Sequence, residues 1–193
     1  MSDVTIFGKG NMGTAIAGVL GKGGATVTHI GSDDTDATVT GDVVVLAVPH
    51  PAVDQIIAAY GDQLAGKILV DITNPLDFAT FDSLVVPADS SKAAEIAAQL
   101  PSASVLKAFN TNFAATLASG TVGDNQPTTV LVAGDDAAAK QTLSDLVVAG
   151  GLRAVDAGSL RRARELEAVG FLQLTLAAGE KVAWTGGFAV VPS

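Results

Sequence analysis

Residues 6–20 read IFGKGNMGTAIAGVL, with Gly8, Gly10 and Gly13 placed between an apolar run and an Ala-rich one. A plain turn needs one glycine or two. Three at the spacing Gly-x-Gly-x-x-Gly, between a strand and a helix, have separate mechanical duties. The first makes the tight turn, the second clears a side chain from the path of a pyrophosphate, and the third lets the helix pack on the strand. The opening turn of the helix adds unpaired N–H groups and the positive end of its dipole. Glycines that only ease close packing are the plainer alternative. The position after a first strand, with a second strand following at 25–30, favours a dinucleotide site.

Outward from this stretch, apolar runs recur at 4–7, 25–30, 42–48, 67–72, 104–109, 128–133 and 152–157. Most are continuous and β-branched rather than alternating, which predicts strands buried on both faces of a parallel sheet. Helical patterns fill 11–22, 51–60, 90–100, 111–119, 136–149 and 160–178. This alternation predicts an α/β fold: a doubly wound, mostly parallel sheet of the Rossmann dinucleotide-binding type. The stretch GSDDTDATVTG (31–41) is polar and lacks an apolar period, so it reads as a loop or a single turn. No repeat, low-complexity tract or linker interrupts the chain. One domain over 1–193 is expected, with a C-terminal helix and tail from 159.

The 193 residues suffice for one well-buried core, and a hydrophobic content of 48% excludes disorder. No run of 18 apolar residues suggests a membrane helix, and the opening MSDVTIFG lacks the basic start and apolar stretch of a signal peptide. The expected location is the cytoplasm. There are no cysteines and only two histidines, His29 and His50, so no thiolate or His-rich metal site is expected. The net charge of −9 repels phosphate backbones and argues against nucleic acid as a partner. An anionic cofactor must find a local site that overcomes this field.

The end of the second strand decides which dinucleotide fits. NAD sites place an acidic residue there for the ribose hydroxyls, whereas NADP sites favour polar or basic groups. The sequence offers HIGSDD. Ser32 can bond a phosphate, Asp33 repels one, and Lys9 either supplies the missing positive charge or is simply a solvated loop lysine. The residues alone leave both cofactors open.

The blocks FGKGNMGTAIA, IGSDD, VVLAVPHPAV, VDITNP, KAFNT and DAGSLRRARELE occur in that order across nearly the whole chain. Together they resemble the family of NADP oxidoreductases dependent on coenzyme F420, a deazaflavin. They also resemble the cytoplasmic oxidoreductase domain of the six-transmembrane metalloreductases. The resemblance implies an NADP-binding Rossmann domain that exchanges hydride with a flavin or deazaflavin, a small-molecule redox acceptor. It places Gly8, Lys9, Gly10, Asn11, Met12 and Gly13 at the pyrophosphate and Ser32 at the adenosine 2′-phosphate. Ala47, Val48, Pro49 and His50 would line the nicotinamide half, with Asn74 and Pro75 nearby. Asp33 departs from the family, whose members carry arginine there, so NAD stays possible beside NADP. Nothing in the chain resembles a membrane or heme-binding part.

Other polar residues fall where strands end, which is where ligands lie in a doubly wound sheet. His50 faces the acceptor or donates a proton, or is an exposed loop histidine; His29, within a strand, reads as structural. Asn74 and Asn110 suit contacts to an amide or ring edge, or cap a helix or turn. Lys107 meets a carboxylate or phosphate, or is the commoner solvated edge lysine. Arg161, Arg162 and Arg164 with Glu165 and Glu167 read as surface ion pairs, Arg164 and Glu167 having a structural or interface role. Leu160, Ala163, Leu166, Val169, Leu172 and Leu176 recur at helical spacing, and Phe171 and Leu174 add apolar surface elsewhere on the helix. A helix so apolar predicts a homodimer, with this helix or the Trp184–Val191 tail at or near the interface. Trp184 and Phe188 either wall an acceptor ring or pack in the core.

Hydride transfer between two ring cofactors needs no protein nucleophile, which agrees with the lack of any Ser/His/Asp or paired-carboxylate pattern. An imine or carbonyl reductase on the same domain is the alternative enzyme. It would need a proton donor, His50 first, then Lys107 and Tyr60. A non-enzymatic NADP-sensing module is the third possibility.

Overall fold

The computed structural model describes residues 2–34 and 36–191. Strand β1 (Asp3–Phe7) leads through the glycine turn into helix α1 (Asn11–Lys22), followed by β2 (Thr26–Ile30). The predicted loop then runs to β3 (Val43–Leu46), α2 (His50–Leu64) and β4 (Ile68–Asp71). Helix α3 (Lys92–Gln99), β5 (Ser104–Lys107) and α4 (Ala114–Ser119) come next. A short hairpin of β6 (Thr121–Val122) and β7 (Gln126–Pro127) precedes β8 (Thr129–Gly134) and α5 (Ala137–Ala149). The chain closes with β9 (Arg153–Gly158), a 3₁₀ turn at Leu160–Arg162, and α6 (Ala163–Ala178).

Seven strands form one sheet in the order β2-β1-β3-β4-β5-β8-β9. All neighbours are parallel except β5 and β8, which run antiparallel. The chain leaves β1 for β2 on one side and then crosses to β3 on the other. That reversal opens a crevice at the carboxyl ends of β1 and β3.

The two sheet faces carry separate cores. Val4, Ile6, Val43, Val45 and Val70 pack under α1, α4 and α5 with Ile16, Leu20, Leu117 and Leu143. Phe7, Val44, Leu46 and Leu69 pack under α2 and α3 with Val53, Leu64 and Ile96. Alternate residues of one strand thus serve opposite faces, which is why these strands read as unbroken apolar runs. The two edge strands differ: β2 and β9 are largely half-buried or exposed, and ATVTHI alternates accordingly.

Several boundaries depart from the sequence pattern for identifiable reasons. Helix α2 continues past Gly61 to Leu64, because fully buried Leu64 extends its apolar stripe beyond a residue that weakens helix propensity. Helix α4 starts at Ala114 rather than near 111, because Phe109 takes a left-handed conformation (φ 61°) and the chain turns through Asn110–Asn112 first. The β6–β7 hairpin is too short to show as a pattern.

Helix α6 is rotated from the expected stripe. Leu160, Ala163 and Leu166 are buried, but Val169 and Leu172 face outward. The inward positions further along are Glu167, Gly170, Gln173 and Ala177. A polar inward face is invisible to hydrophobic periodicity. Among the described residues no helix is long and apolar enough to cross a membrane.

Candidate functional site

At the crevice, the end of β1 and the glycine that follows it are tied to the strands on either side. The Gly8 N–H donates to Ile30 O at 2.8 Å, while the N–H of Ala47 donates to Phe7 O at 2.9 Å. With φ at 110° and a Cβ that would strike the Ala47 carbonyl, Gly8 accepts no side chain. A Cβ on Gly13 would lie 2.5 Å from Gly8 O, so the third glycine sets the helix–strand approach. Gly10 is different: its φ is −76° and a Cβ there would meet nothing within 4 Å. The absent side chain of Gly10 leaves space for something other than protein. His29 supports this turn from β2, its Nδ1–H donating to Gly8 O at 2.8 Å; a carbonyl only accepts, which fixes the ring tautomer.

Two cavities flank this point and share Gly10, Ala47, Val48 and Pro49. The outer one, about 740 Å³, is lined by Gly8 and Lys9 from the glycine turn, Ser32, Asp33 and Asp34 after β2, and Tyr60 from α2. The inner one, about 560 Å³, reaches from Asn11, Met12 and His50 to Asn74 and Asn110, with Phe78, Phe113 and Trp184 as aromatic wall. No side chain caps the N-terminus of α1 or of α2, and both helices begin at these cavities. The free amides there suit anionic or strongly polar ligand groups.

Electrostatics in the outer cavity centre on one residue that the sequence reading passed over. Lys9 Nζ pairs with Asp34 at 2.8 Å, and the Gly31 N–H donates to the same carboxylate at 2.7 Å. The Lys9 bond first, then that of Gly31, holds the Asp34 carboxyl below its ordinary range. Lys9 is therefore neither free nor simply solvated. The Ser32 hydroxyl points at the Asp33 carboxylate, 3.4 Å away.

The inner cavity rests on a hydrogen-bonded floor. Asn110 Nδ2 donates to Asn74 Oδ1 at 2.9 Å and to Leu166 O at 2.8 Å, and Asn74 Nδ2 donates to Asn110 O at 2.8 Å. Neither asparagine caps a helix. Gly170 of α6 is required here, because a Cβ on it would run into the Asn74 amide. Pro75 is buried behind this wall and lines neither cavity. As the residue after Asn74 it biases Asn74 towards extended backbone.

Beneath the floor lies a buried ion cluster. Lys107, wholly buried, donates to Asp71 and to Glu167 at 2.7 Å each, and to the Thr73 carbonyl. It is not a solvated edge lysine. Glu167 also accepts from the N–H groups of Lys92 and Ala93 at 3.1 and 3.4 Å. Burial pushes its carboxyl above the ordinary range. Glu167 therefore fastens α6 to β4, β5 and the start of α3, rather than pairing on the surface.

His50 begins α2 at the inner cavity. Burial, reinforced by the Lys92 ammonium, holds its imidazole below the ordinary value of 6.5, so it is neutral at pH 7. Tyr60 sits in the other cavity, donating to Asp34 O at 2.9 Å and tilted against Phe7. Trp184 returns to the inner cavity from the tail and lies 4.9 Å from Phe113, half-exposed rather than in the core. Gln173 holds that tail, accepting from Phe188 N at 2.8 Å and donating to Thr111 O at 3.1 Å.

A family model for NADP oxidoreductase, coenzyme F420-dependent, matches residues 25–75. The F420-dependent NADP reductase of Methanocaldococcus jannaschii is 33% identical over 155 residues, spanning 78% of this chain and 69% of that protein. Metalloreductase STEAP3 of Rattus norvegicus is 39% identical over 113 residues, 58% of this chain but only 22% of the rat protein. A crystal structure provisionally assigned as an F420-dependent NADP-reductase, from Arthrobacter sp. FB24, superposes over 100% of both chains with a TM-score of 0.84 and 27% identity.

Proposed function

The chain belongs to the coenzyme F420-dependent family of NADP oxidoreductases, and from that premise we propose that it moves hydride between an NADP nicotinamide and a flat flavin- or deazaflavin-type acceptor. The observation that carries this reading is the pairing of two cavities across Gly10, one edged by Lys9, Ser32 and Asp33 and the other walled by aromatic rings. The space kept clear at Gly10 and the uncapped start of α1 fit a pyrophosphate.

In this reading Gly8, Lys9, Gly10, Asn11, Met12 and Gly13 hold the pyrophosphate, Lys9 and Gly13 by charge and packing respectively. Ser32 takes the 2′-phosphate. Ala47, Val48, Pro49 and His50 bound the nicotinamide half, with Asn74, Pro75 and Asn110 forming or bracing its floor. Bound there, the dinucleotide supplies or accepts the hydride. The chain contributes orientation and exclusion of water: Pro49 stiffens the segment before α2, and Phe78, Phe113 and Trp184 press a flat ring from the open side. Holding two rings face to face accounts for a large share of such a rate.

The test is a steady-state assay of NADPH oxidation with riboflavin, FMN and a deazaflavin in turn. Turnover with a ring acceptor supports the reading, and binding of NADPH without turnover of any acceptor would replace it with a sensing module.

A second reading, imine or carbonyl reduction, draws on His50, which lines the same cavity. Its lowered pKa makes it a poor proton donor at pH 7, and Tyr60 and Lys107 are committed elsewhere. Flavin-free turnover of an imine, with the acid limb of its pH profile lost in His50→Ala, would select that reading instead.

A further inference from the structure

Gln173 joins two segments that lie far apart in the chain. It sits on the inward side of α6 and is 2% exposed. Its Nε2 donates to Thr111 O at 3.1 Å, and its Oε1 accepts from Phe188 N at 2.8 Å. A carbonyl only accepts and a backbone N–H only donates, so the two bonds fix one orientation of the amide. An apolar residue would fill this place with less desolvation, so the polar one calls for a reason beyond packing.

Both segments carry the aromatic wall of the inner cavity. Thr111 lies between Asn110 and Asn112, with Phe113 next, and those three line the cavity. Phe188 lies a few residues beyond Trp184, which lines the same cavity from the tail. The rings of Phe113 and Trp184 stand 4.9 Å apart, tilted by 59°. Gln173 therefore clips together the two stretches of backbone from which this ring pair stems. It does not line the cavity itself.

The tail has few other holds near Trp184. Residues 181–191 form no helix or strand. Gly186 N closes a turn on Ala183 O at 2.8 Å, and Gly123 N donates to Thr185 O at 2.8 Å. Those bonds shape the turn around Trp184 but leave it hinged on the β6–β7 hairpin. Gly187 completes the clip. Its φ is 114°, and a Cβ on it would lie 2.7 Å from Gln173 Oε1. Only glycine lets the tail pass close enough for the Phe188 N–H to reach the amide.

Trp184 is 52% exposed although it is packed on Phe113. An indole held in place yet half open presents a surface to a flat ring without first having to be ordered. Resting on the functional reading above, we infer that Gln173 is a positioning residue for the hydride acceptor. It holds the Phe113–Trp184 pair so that a planar aromatic acceptor meets a wall already formed. The dinucleotide, seated on the glycine turn, depends on it far less.

Trp184 is the chain's one tryptophan, so its emission reports on this wall directly. The test uses the full chain and two variants. Gln173→Leu removes both bonds while keeping similar bulk, and Gly187→Ala disturbs only the tail side. Acrylamide quenching of the ligand-free chain should rise in both. Riboflavin is then titrated into NADP⁺-saturated chain and followed by the loss of Trp184 emission, with NADP⁺ affinity measured by calorimetry. Riboflavin should bind about three- to tenfold more weakly in both variants, because a loosened indole must be ordered on binding. NADP⁺ affinity should change little. If Gln173→Leu does not fold, Gly187→Ala alone decides. Riboflavin affinity or acrylamide quenching equal to the parent's would overturn the inference, as would equal losses for riboflavin and NADP⁺, which mark a mere brace of the fold. A riboflavin loss that disappears at higher protein concentration would assign the tail to a contact between copies and overturn it too. A parent chain that binds neither riboflavin nor a deazaflavin would instead overturn the functional reading, and this inference with it.

Discussion

Lys9 Nζ and Asp34 Oδ2 stand 2.8 Å apart at the outer cavity, so the lysine that lines this cavity is already engaged. A 2′-phosphate must draw Lys9 away from Asp34 or bind beside an intact pair, and either costs affinity. Asp34→Asn keeps the acceptor oxygen for the Gly31 N–H and frees the ammonium. NADPH should then bind several-fold to about tenfold more tightly, while NADH changes little. Because both groups are largely exposed, the gain should shrink at high salt. Fluorescence titration of both cofactors at two ionic strengths checks this. A selective loss of NADH affinity would show that Asp34 serves the ribose hydroxyls instead.

The first-turn glycines separate folding from binding. A side chain at Gly10 projects into open space, whereas one at Gly13 meets Gly8 O at 2.5 Å. Gly10→Val should keep the ligand-free melting temperature within a degree or two of the parent and abolish its rise with NADPH. Gly13→Ala should lower the ligand-free melting temperature by several degrees. Differential scanning fluorimetry with and without millimolar NADPH reads both outcomes.

Removing the ammonium from the buried cluster strands two carboxylates. Lys107→Met should destabilise the fold by about 3–5 kcal/mol and loosen α6. Glu167→Gln is milder and carries a pH signature. The folded chain keeps the Glu167 proton at pH values where the unfolded chain, near 4.5, has released it. Its contribution is complete below that value and is lost as pH rises through the raised folded pKa. Urea melts from pH 4 to 8 should show a stability difference between parent and Glu167→Gln that moves against the parent as pH increases.

Much of this was legible in the sequence, because the strands and glycine turn are local signals. IFGKGNMG announces its own backbone, and buried parallel strands read as apolar runs. Lys107 was not legible as a buried residue. Its partners lie 36 and 60 residues away, on β4 and α6, and only the folded sheet brings them together. Asp34 was hidden in an acidic run whose members look alike until one meets Lys9. Asn112 and Thr73 lie beside the inner cavity because Phe109 turns the chain against its own preference and because β4 ends where it does. The signal that could have found Glu167 and Gln173 is their spacing with Gly170 along one helix face, read as a polar stripe rather than as interruptions of an apolar one.

The outward face of α6 supports one last expectation. Val169 and Leu172 are 37% and 50% exposed on that helix, and Phe188 and Val191 on the following tail are 42% and 74% exposed. Fully burying a side chain of this size contributes about 1.5–3 kcal/mol, so covering four would outweigh much of the cost of association. A second copy of this chain is the occupant we expect, because a two-fold contact lets one apolar helix face cover its own equivalent. Light scattering at micromolar concentration should give twice the chain mass. Leu172→Glu should halve it while leaving the circular dichroism spectrum unchanged. A parent protein that stays monomeric at tens of micromolar would remove the dimer and leave this face without a partner.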